Sequence, residues 1–544
     1  MLNYVWLALL FLGIGSAVTT DVINQNENKY MNGQPLPVVI QLPNNFKSNI
    51  DTTCEVSLKV NTQVFNKFYK EKFLGNITLK SKLTLRKKDK ENLIYFNVDK
   101  TSPVIWQEMS TASGNKGKLT GKVFFDSLTP SNTAFAHIIL ESVSFIKIKE
   151  VTNSALDYAG TAVNISLGLI GIMALWLGIM KIAEEAGLIL IIARLLKPLT
   201  KKLFPDVPPE HPAMGAMIMN MSANMLGLGN AATPFGLKAM EELNELNPQK
   251  DTATNAMCTF LAINTAGMTL VPATAIAVRA ASGSTQPAII IGTSLFASFC
   301  ATVAGLTAAK ILEKFPIKKY QFKNWVKDSQ RLLYSLLIIF FLILIFLFSG
   351  GSNYFAPLLK LFNPELFKNI IQIFSIIAIP LLIVIFVGYG VVKKVRVYEV
   401  FVEGAKEGFN IAVKIIPYLV AMLVAIGIFR AGGAMDLLVY ILRPLTSLIG
   451  MPAEALPMAL MRPLSGSGSL GIMAEIMSVH GPDSFIGIMV STFYGSTETT
   501  FYILAVYFGA VNIRKIRHAL SAGLIADVAG ILAAVFIVRF LFGY

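Results

Sequence analysis

The chain has 544 residues, 54% of them hydrophobic and only 15% charged, where a soluble globular chain carries about 25% charged residues; a soluble protein is excluded. A net charge of +14 does not point to nucleic acid, because no basic helix interleaves with aromatics; in a polytopic membrane protein an excess of Lys and Arg marks cytoplasmic loops. Three cysteines exclude a disulfide framework: Cys54 falls in a polar segment, while Cys258 and Cys300 fall in apolar runs and read as small buried hydrophobes.

Residues 2–19 are apolar and about one bilayer long. They lack the basic start of a signal peptide, so residues 1–23 read as a first transmembrane helix rather than a cleaved leader. Residues 24–150 change character: they are polar, rich in lysine, and hold six β-prone runs, PVVIQL, CEVSLKV, NITLKSKLTL, LIYFNV, GKVFFD and AHIILESVSFIKI. Period-two alternation and intervening turn residues predict a small all-β domain, a sandwich or partial barrel. It holds no catalytic constellation.

From residue 151 a short amphipathic lead-in precedes candidate spans at 164–182, 253–279 and 287–311. Between the first two, 186–237 is interrupted by Pro198, Pro205, Pro208, Pro209, Pro212 and Pro234 and by Gly227 and Gly229. It reads as a half-helix, a loop and a discontinuous segment. A basic linker with an extra span at 332–349 fills 316–369. Spans at 370–392, 410–429, 484–509 and 519–541 follow, with a second broken region at 432–478.

The two halves, 151–315 and 370–544, echo each other in order. LKPLT at 196–200 answers LRPLT at 442–446; PDVPPEHPAM from Pro205 answers MPAEALPMAL from Met451. SANMLGLGNAATP from Ser222 answers SGSGSLG from Ser465, and INTAGMTLVPAT from Ile263 answers GSTETTFYI from Gly495. Placing the basic loops in the cytoplasm puts Lys197 inside, Arg443 outside and residues 24–150 outside. The halves are then inverted repeats joined by the extra span. Such repeats with re-entrant or broken helices place a site near the bilayer midplane.

Two stretches carry the polar groups that such a site needs, Met219–Thr274 and Met461–Phe501. A broken helix frees amides at one end and carbonyls at the other, which can hold an anion and a cation. The first-half candidates are Asn220, Asn224, Asn230, Thr233, Asn264, Thr265 and Thr269. The second-half candidates are Arg462, Ser465, Ser467, Ser469, Ser496, Thr497, Glu498, Thr499 and Thr500. Against them stands the plainer reading that small hydroxyls and amides only glue helices together. A carboxylate at membrane depth is harder to explain that way. Glu498 reads as a proton or cation site, with Arg462 as its partner or as the partner of an anionic substrate group. Asp527 reads as the structural partner of a nearby basic residue, Glu475 as an interfacial group, and Phe235, Phe493 and Phe501 as core. With four histidines, no HExxH and no clustered Cys and His, no metal site is read; His211 and His480 flank proline regions in loops.

The first half resembles the spore maturation protein A family through WLGIMKIAEEAGL, KPLTKKLFPDVPPEHPAMG, ANMLGLGNAATPFGLKAMEELN and FLAINTAGMTLVPATAIAVR. The second half resembles the spore maturation protein B family through GMPAEALPMALMRPLSGSGSLGIM, HGPDSFIGIMVSTFYGSTETTFYILAVYFGAV and IRKIRHALSAGLIADVAG. The resemblance implies membership of the nucleoside-recognition "gate" superfamily, which includes the gate domains of ferrous-iron permeases and is related to concentrative nucleoside carriers. In spore formers it implies a part in dehydration of the spore core. The chain departs from the pattern by fusing both halves and by inserting the β-domain.

The expected molecule is a polytopic α-helical protein of a bacterial cytoplasmic (inner) membrane, with two inverted gate-type repeats and residues 24–150 extracytoplasmic. Its expected function is transport of a small polar or ionic solute, without enzymatic activity or cofactor. The alternative is a non-transporting scaffold that presents the β-domain. The expected partners are that small-molecule or ion substrate and membrane lipid, not nucleic acid; the β-domain offers a surface for a second copy or an envelope partner.

Overall fold

The computed structural model describes residues 2–43, 52–86, 91–99, 101–112, 117–130, 132–227, 229–313, 330, 334 and 364–543. They form two compact units. One comprises Leu7–Asp157 with Gly427–Leu437, the other Met1–Trp6, Tyr158–Ile426 and Leu438–Tyr544.

The first unit is built on a closed antiparallel barrel of six strands in simple up-and-down order. These are β1 Leu36–Gln41, β2 Thr52–Val60, β3 Ile77–Arg86, β4 Glu91–Asn97, β5 Lys118–Leu128 and β6 Thr133–Leu140. Closure comes from β1 on β6, with Leu36 opposite Ile138 and Gln41 opposite Thr133. Alternate residues point inward, as a barrel of this size requires: Leu36, Val38 and Ile40, then Leu58, Leu83, Ile94 and Ile138 are buried.

Two short helices add large side chains to the barrel's core. Helix α2, Thr62–Tyr69, is capped by the Asn61 side chain on the amides of Gln63 and Val64 and buries Phe65 and Tyr69. Helix α3, Val104–Ala112, brings the fully buried Trp106 edge-on to Phe65 at 5.2 Å, and its indole donates to Tyr69 Oη (3.2 Å). The domain is therefore a barrel with two packed helices rather than all-β.

The last predicted β run also divides. Its strand ends at Leu140, and the SFIKI portion turns into helix α4, Ile146–Glu185, a single 40-residue element. Helix α1, Leu2–Asn26, supplies the reason: buried Asp21 accepts the amides of Lys147 and Ile148, each at 2.9 Å. A carboxylate at a helix N-terminus satisfies free amides and meets the positive end of the dipole.

Among the described residues, five helices are long and apolar enough to cross a membrane. Besides α1 (over Trp6–Asn26) and α4, these are α10, Ile290–Glu313 with the short turn Pro287–Ile289 before it, α12, Val397–Ala431, and α18, Ala519–Phe542. Helix α11, Pro364–Val392, contributes a further apolar stretch over Ile376–Val392. The protein is a multi-pass membrane protein. The extra span expected at 332–349 lies outside the described residues.

The remaining helices of this unit are shorter: α5 Leu188–Leu203, α6 Pro212–Met225, α7 Gly229–Glu245, α8 Asn255–Ala266 and α9 Ala273–Ala281, then α13 Ala434–Leu448, α14 Leu456–Met461, α15 Gly466–His480, α16 Phe485–Ser496 and α17 Thr500–Ala510. Two expected spans are thus not single helices. The stretch 253–279 is divided into α8 and α9, and 484–509 into α16 and α17. Small residues let these elements approach closely, as membrane helices do in the absence of a hydrophobic drive. Against Gly404 and Gly408 of α12, a Cβ would lie 2.5 Å from Leu177 O and Met173 O of α4.

Candidate functional site

The polar groups converge where the short helices stop. Helix α8 ends at Gly267 (φ +53), a left-handed conformation that glycine adopts without a side-chain penalty. A Cβ at Gly267 would also lie 2.7 Å from Glu498 Cγ. The freed backbone groups find tertiary partners: Leu270 N donates to Met225 O at the end of α6 (2.8 Å), and Phe501 N donates to Pro463 O between α14 and α15 (3.1 Å). Glu498 N donates to Thr265 O (2.7 Å), which joins the α16–α17 interruption to the C-terminal turn of α8.

Arg462 sits at this junction and is almost wholly buried. Its guanidinium lies over the Tyr494 ring, 4.5 Å from the centroid, an arrangement that stabilises a buried cation. Nη2 donates to Thr497 O and approaches Glu498 Oε2 (3.6 Å), while Nη1 donates to Thr499 Oγ1 (3.4 Å). Glu498 remains 52% exposed on its side chain. The acid and the base that the sequence sets apart thus lie side by side.

Of the first-half candidates, Asn224 donates to Asn264 Oδ1 (3.0 Å), and Asn264 donates to Phe260 O (2.9 Å). Thr269 Oγ1 donates to Gly267 O (2.9 Å) and its methyl lies near Gly227. Asn220 is drawn elsewhere: buried, it donates to Ala232 O (2.7 Å) and Tyr507 Oη (3.2 Å), tying α6 to α7 and α17. Thr233 is half-buried on α7. Asn230 is the second residue of α7, and its side chain lies outside the described residues.

In the second half, Ser465 caps α15 by accepting Gly468 N (3.0 Å) and lies 3.4 Å from Ser467 Oγ. Ser469 returns its proton to Ser465 O (2.6 Å), and Ser496 donates to Phe493 O (2.9 Å). These two hydroxyls serve their own helices, as the plainer reading holds. Gly466 brings the cap against Thr499, whose Oγ1 would stand 3.1 Å from a Cβ there.

Two further carboxylates are buried. Asp527 on α18 takes its hydrogen bond from a hydroxyl, Thr500 Oγ1 donating to its Oδ2 at 2.5 Å, with Arg462 near enough for its charge to act on it. Glu475 is fully buried, with Tyr158 Oη donating to Oε1 (3.3 Å). His211, Glu242 and Glu245 bring one ligand atom each within 4.8 Å of one another, a grouping no motif announces. His211 Nδ1 accepts Ala213 N (3.2 Å), which places the ring proton on Nε2, and Lys238 Nζ lies 2.9 Å from Glu242; the group is compensated from within.

A charged residue the sequence reading passed over is Arg279, on α9. It is fully buried and donates to Pro482 O (2.6 Å), Pro287 O (3.2 Å), Ser284 Oγ (3.1 Å) and Asp483 Oδ1 (2.8 Å). Asp483 also accepts Ser284 Oγ (2.5 Å), Thr285 N (2.7 Å) and Thr285 Oγ1 (2.8 Å). The signal was present: a lone Arg in the apolar run TAIAVRAA must find a partner. Here the end of the α8–α9 stretch meets the start of α16–α17.

The reverse pairing holds the other ends. Asp251 O accepts Arg514 N (3.0 Å) and Lys515 N (2.9 Å), and Ala253 N donates to Lys515 O (3.0 Å). Arg517 Nη1 donates to Ala253 O (3.1 Å) and Lys515 Nζ lies 2.9 Å from Asp251. With start joined to end at both places, the two interrupted stretches run antiparallel to each other.

Comparison with known proteins adds the following. A family model described as "Gate: Nucleoside recognition" matches residues 166–282 and again 412–514. Over 175 residues, 32% of the chain, the sequence is 53% identical to spore maturation protein B of Bacillus subtilis (strain 168), covering 98% of that protein. Over 159 residues, 29% of the chain, it is 46% identical to spore maturation protein A of the same organism, covering 81% of it. No solved structure was found to match the chain. The two gate segments hold every candidate site residue named above, from Asn220 to Thr500; Asp527 lies beyond both.

Proposed function

The chain belongs to the spore maturation protein A and B family, and from that premise we propose that it is a secondary carrier or permease for a small polar or ionic solute. The reading has two gate-type repeats, 151–315 and 370–544, inserted in opposite directions in a bacterial cytoplasmic membrane and joined through 316–369. Residues 24–150 then stand outside the cytoplasm. The solute site lies where the interruptions at 267–272 and 497–499 meet. The antiparallel run of the two stretches supports inversion, because repeats of one orientation would run parallel.

The observation that carries the reading is the buried Arg462 beside the half-exposed Glu498. Ionisable groups at membrane depth are costly and mark solute or ion paths. Arg462 offers a fixed cation and Glu498 a carboxylate that can exchange its partner for a solute group. The family description speaks of nucleoside recognition, but the two aromatics nearest Arg462 are already engaged: Tyr494 lies beneath its guanidinium and Phe493 is core. A solute held by polar contacts fits this site better than a stacked base.

The test is uptake into proteoliposomes from a panel of labelled nucleosides, amino acids and inorganic ions. The native protein is expected to give saturable uptake of one class. Glu498→Gln should abolish it while inserting and purifying normally; unchanged flux in that variant contradicts the assignment.

A second reading, a scaffold for envelope partners, draws on the barrel. Its outer wall over β5 and β6 exposes Phe124, Leu128 and Phe135, an apolar surface of the kind that binds partners. Deleting residues 24–150 separates the readings: a scaffold loses its role, whereas a carrier retains flux.

A further inference from the structure

The carboxylate of Asp527 is a buried acid that the carrier reading does not use. It lies on α18 between Gly523 and Gly530, and those glycines bring the helix against the α16–α17 interruption. A Cβ at Gly530 would meet the Thr497 methyl at 2.7 Å; a Cβ at Gly523 would meet the Thr500 methyl at 2.9 Å and Thr265 Oγ1 at 3.3 Å. Two threonines of the interruption, Thr497 and Thr500, therefore lie beside the acid. Thr500 Oγ1 donates to Oδ2 at 2.5 Å. Asp527 Oδ1 and Thr497 Oγ1 are each buried with no partner at full hydrogen-bond geometry, on residues 1% and 2% exposed, and the two side chains lie close enough to act on each other.

Charge is counted over the same four residues, Thr497 to Thr500. Arg462 binds Thr497 O and Thr499 Oγ1, Glu498 approaches Arg462, and Asp527 holds Thr500. One guanidinium faces two carboxylates, so the cluster lacks one positive charge. Asp527 is buried, and a buried carboxylate that must share its counter-charge is disfavoured. Carboxylate and hydroxyl oxygens are hard ligands and suit hard cations.

We propose that Asp527, with the hydroxyls of Thr497 and Thr500, forms a site for a small monovalent metal cation of the sodium class. It touches the segment that carries Glu498, so filling it fixes that segment beside Arg462. The proposal rests on the carrier reading for its role as the coupling ion, but not for the existence of the site.

The full-length protein in detergent is heated in NaCl and in choline chloride of equal ionic strength, at several pH values. Sodium is expected to raise the unfolding midpoint saturably. Asp527→Asn should abolish the shift, and Thr497→Val should weaken the apparent sodium affinity by at least about tenfold, while Lys515→Ala retains it. Should Asp527→Asn fail to fold, Thr497→Val alone decides. Absence of a sodium shift in the native protein, or an unchanged shift in the folded variants, would overturn the site. Sodium binding by a protein that moves no solute would instead sink the carrier reading and leave the site standing. Sodium-independent uptake would remove its coupling role.

Discussion

The two ends at which the interrupted stretches meet are held by opposite chemistry. At one, Arg279 is 0% exposed and satisfies a ring of carbonyls and hydroxyls together with Asp483. At the other, Lys515 and Asp251 are 69% and 54% exposed, and the bonds that count run between backbone groups. A buried guanidinium cannot be lost without stranding its partners, whereas a solvated pair exchanges its bonds with water at little cost. The first end is a fixed joint; the second is a contact whose side chains are dispensable.

The largest effect should come from the fixed joint. Arg279→Ala is expected to destabilise the protein by about 3–5 kcal/mol, the range for truncating one member of a buried pair, measured as the fall in the thermal unfolding midpoint or in the yield of monodisperse protein. A native-like midpoint would mean that the joint is ornamental.

Asp483 should matter less and depend on pH. Burial alone would raise its carboxyl, but the donors Ser284, Thr285 and Arg279 hold it below the ordinary range. A depressed folded value stabilises the fold fully above the unfolded value of about 4 and loses that contribution as pH falls through the folded value. The side chain is 38% exposed, so Asp483→Asn should cost about 1 kcal/mol after solvent screening. Midpoints of the native protein and the variant should converge below about pH 4; a constant gap would remove the carboxylate from the argument.

Lys515→Ala should give the smallest effect, with an unfolding midpoint indistinguishable from the native one, because the Asp251–Lys515 backbone bonds survive. A marked loss would make the two ends equivalent after all.

Legibility in the sequence followed locality. The six strands were readable because alternation is a local signal, but barrel closure depends on Leu36 finding Ile138. Helix α2 lay hidden in a β-prone frame, although Asn61 with Phe65 and Tyr69 spells a capped helix face. The run after Leu140 looked like strand until Asp21, more than 120 residues earlier in the chain, capped it as helix. Residues 253–279 and 484–509 looked continuous because apolarity does not mark where a helix stops; Leu270 N and Phe501 N have partners only in three dimensions. Arg462 with Glu498 was readable as a rare base beside a rare acid. Asp527 takes its hydrogen bond from a hydroxyl, a contact no local pattern announces, while Arg462 acts on it only through its charge. Arg279 was overlooked with its partner 204 residues away.

The most direct test of opposite insertion is labelling with a membrane-impermeant maleimide on intact cells. Lys197 and Arg443 are both exposed, and each is replaced singly by cysteine in a chain whose Cys54, Cys258 and Cys300 are alanine. Position 443 should label from outside and position 197 only after the membrane is opened. Equal accessibility of the two positions would contradict inverted insertion and the solute site built on it.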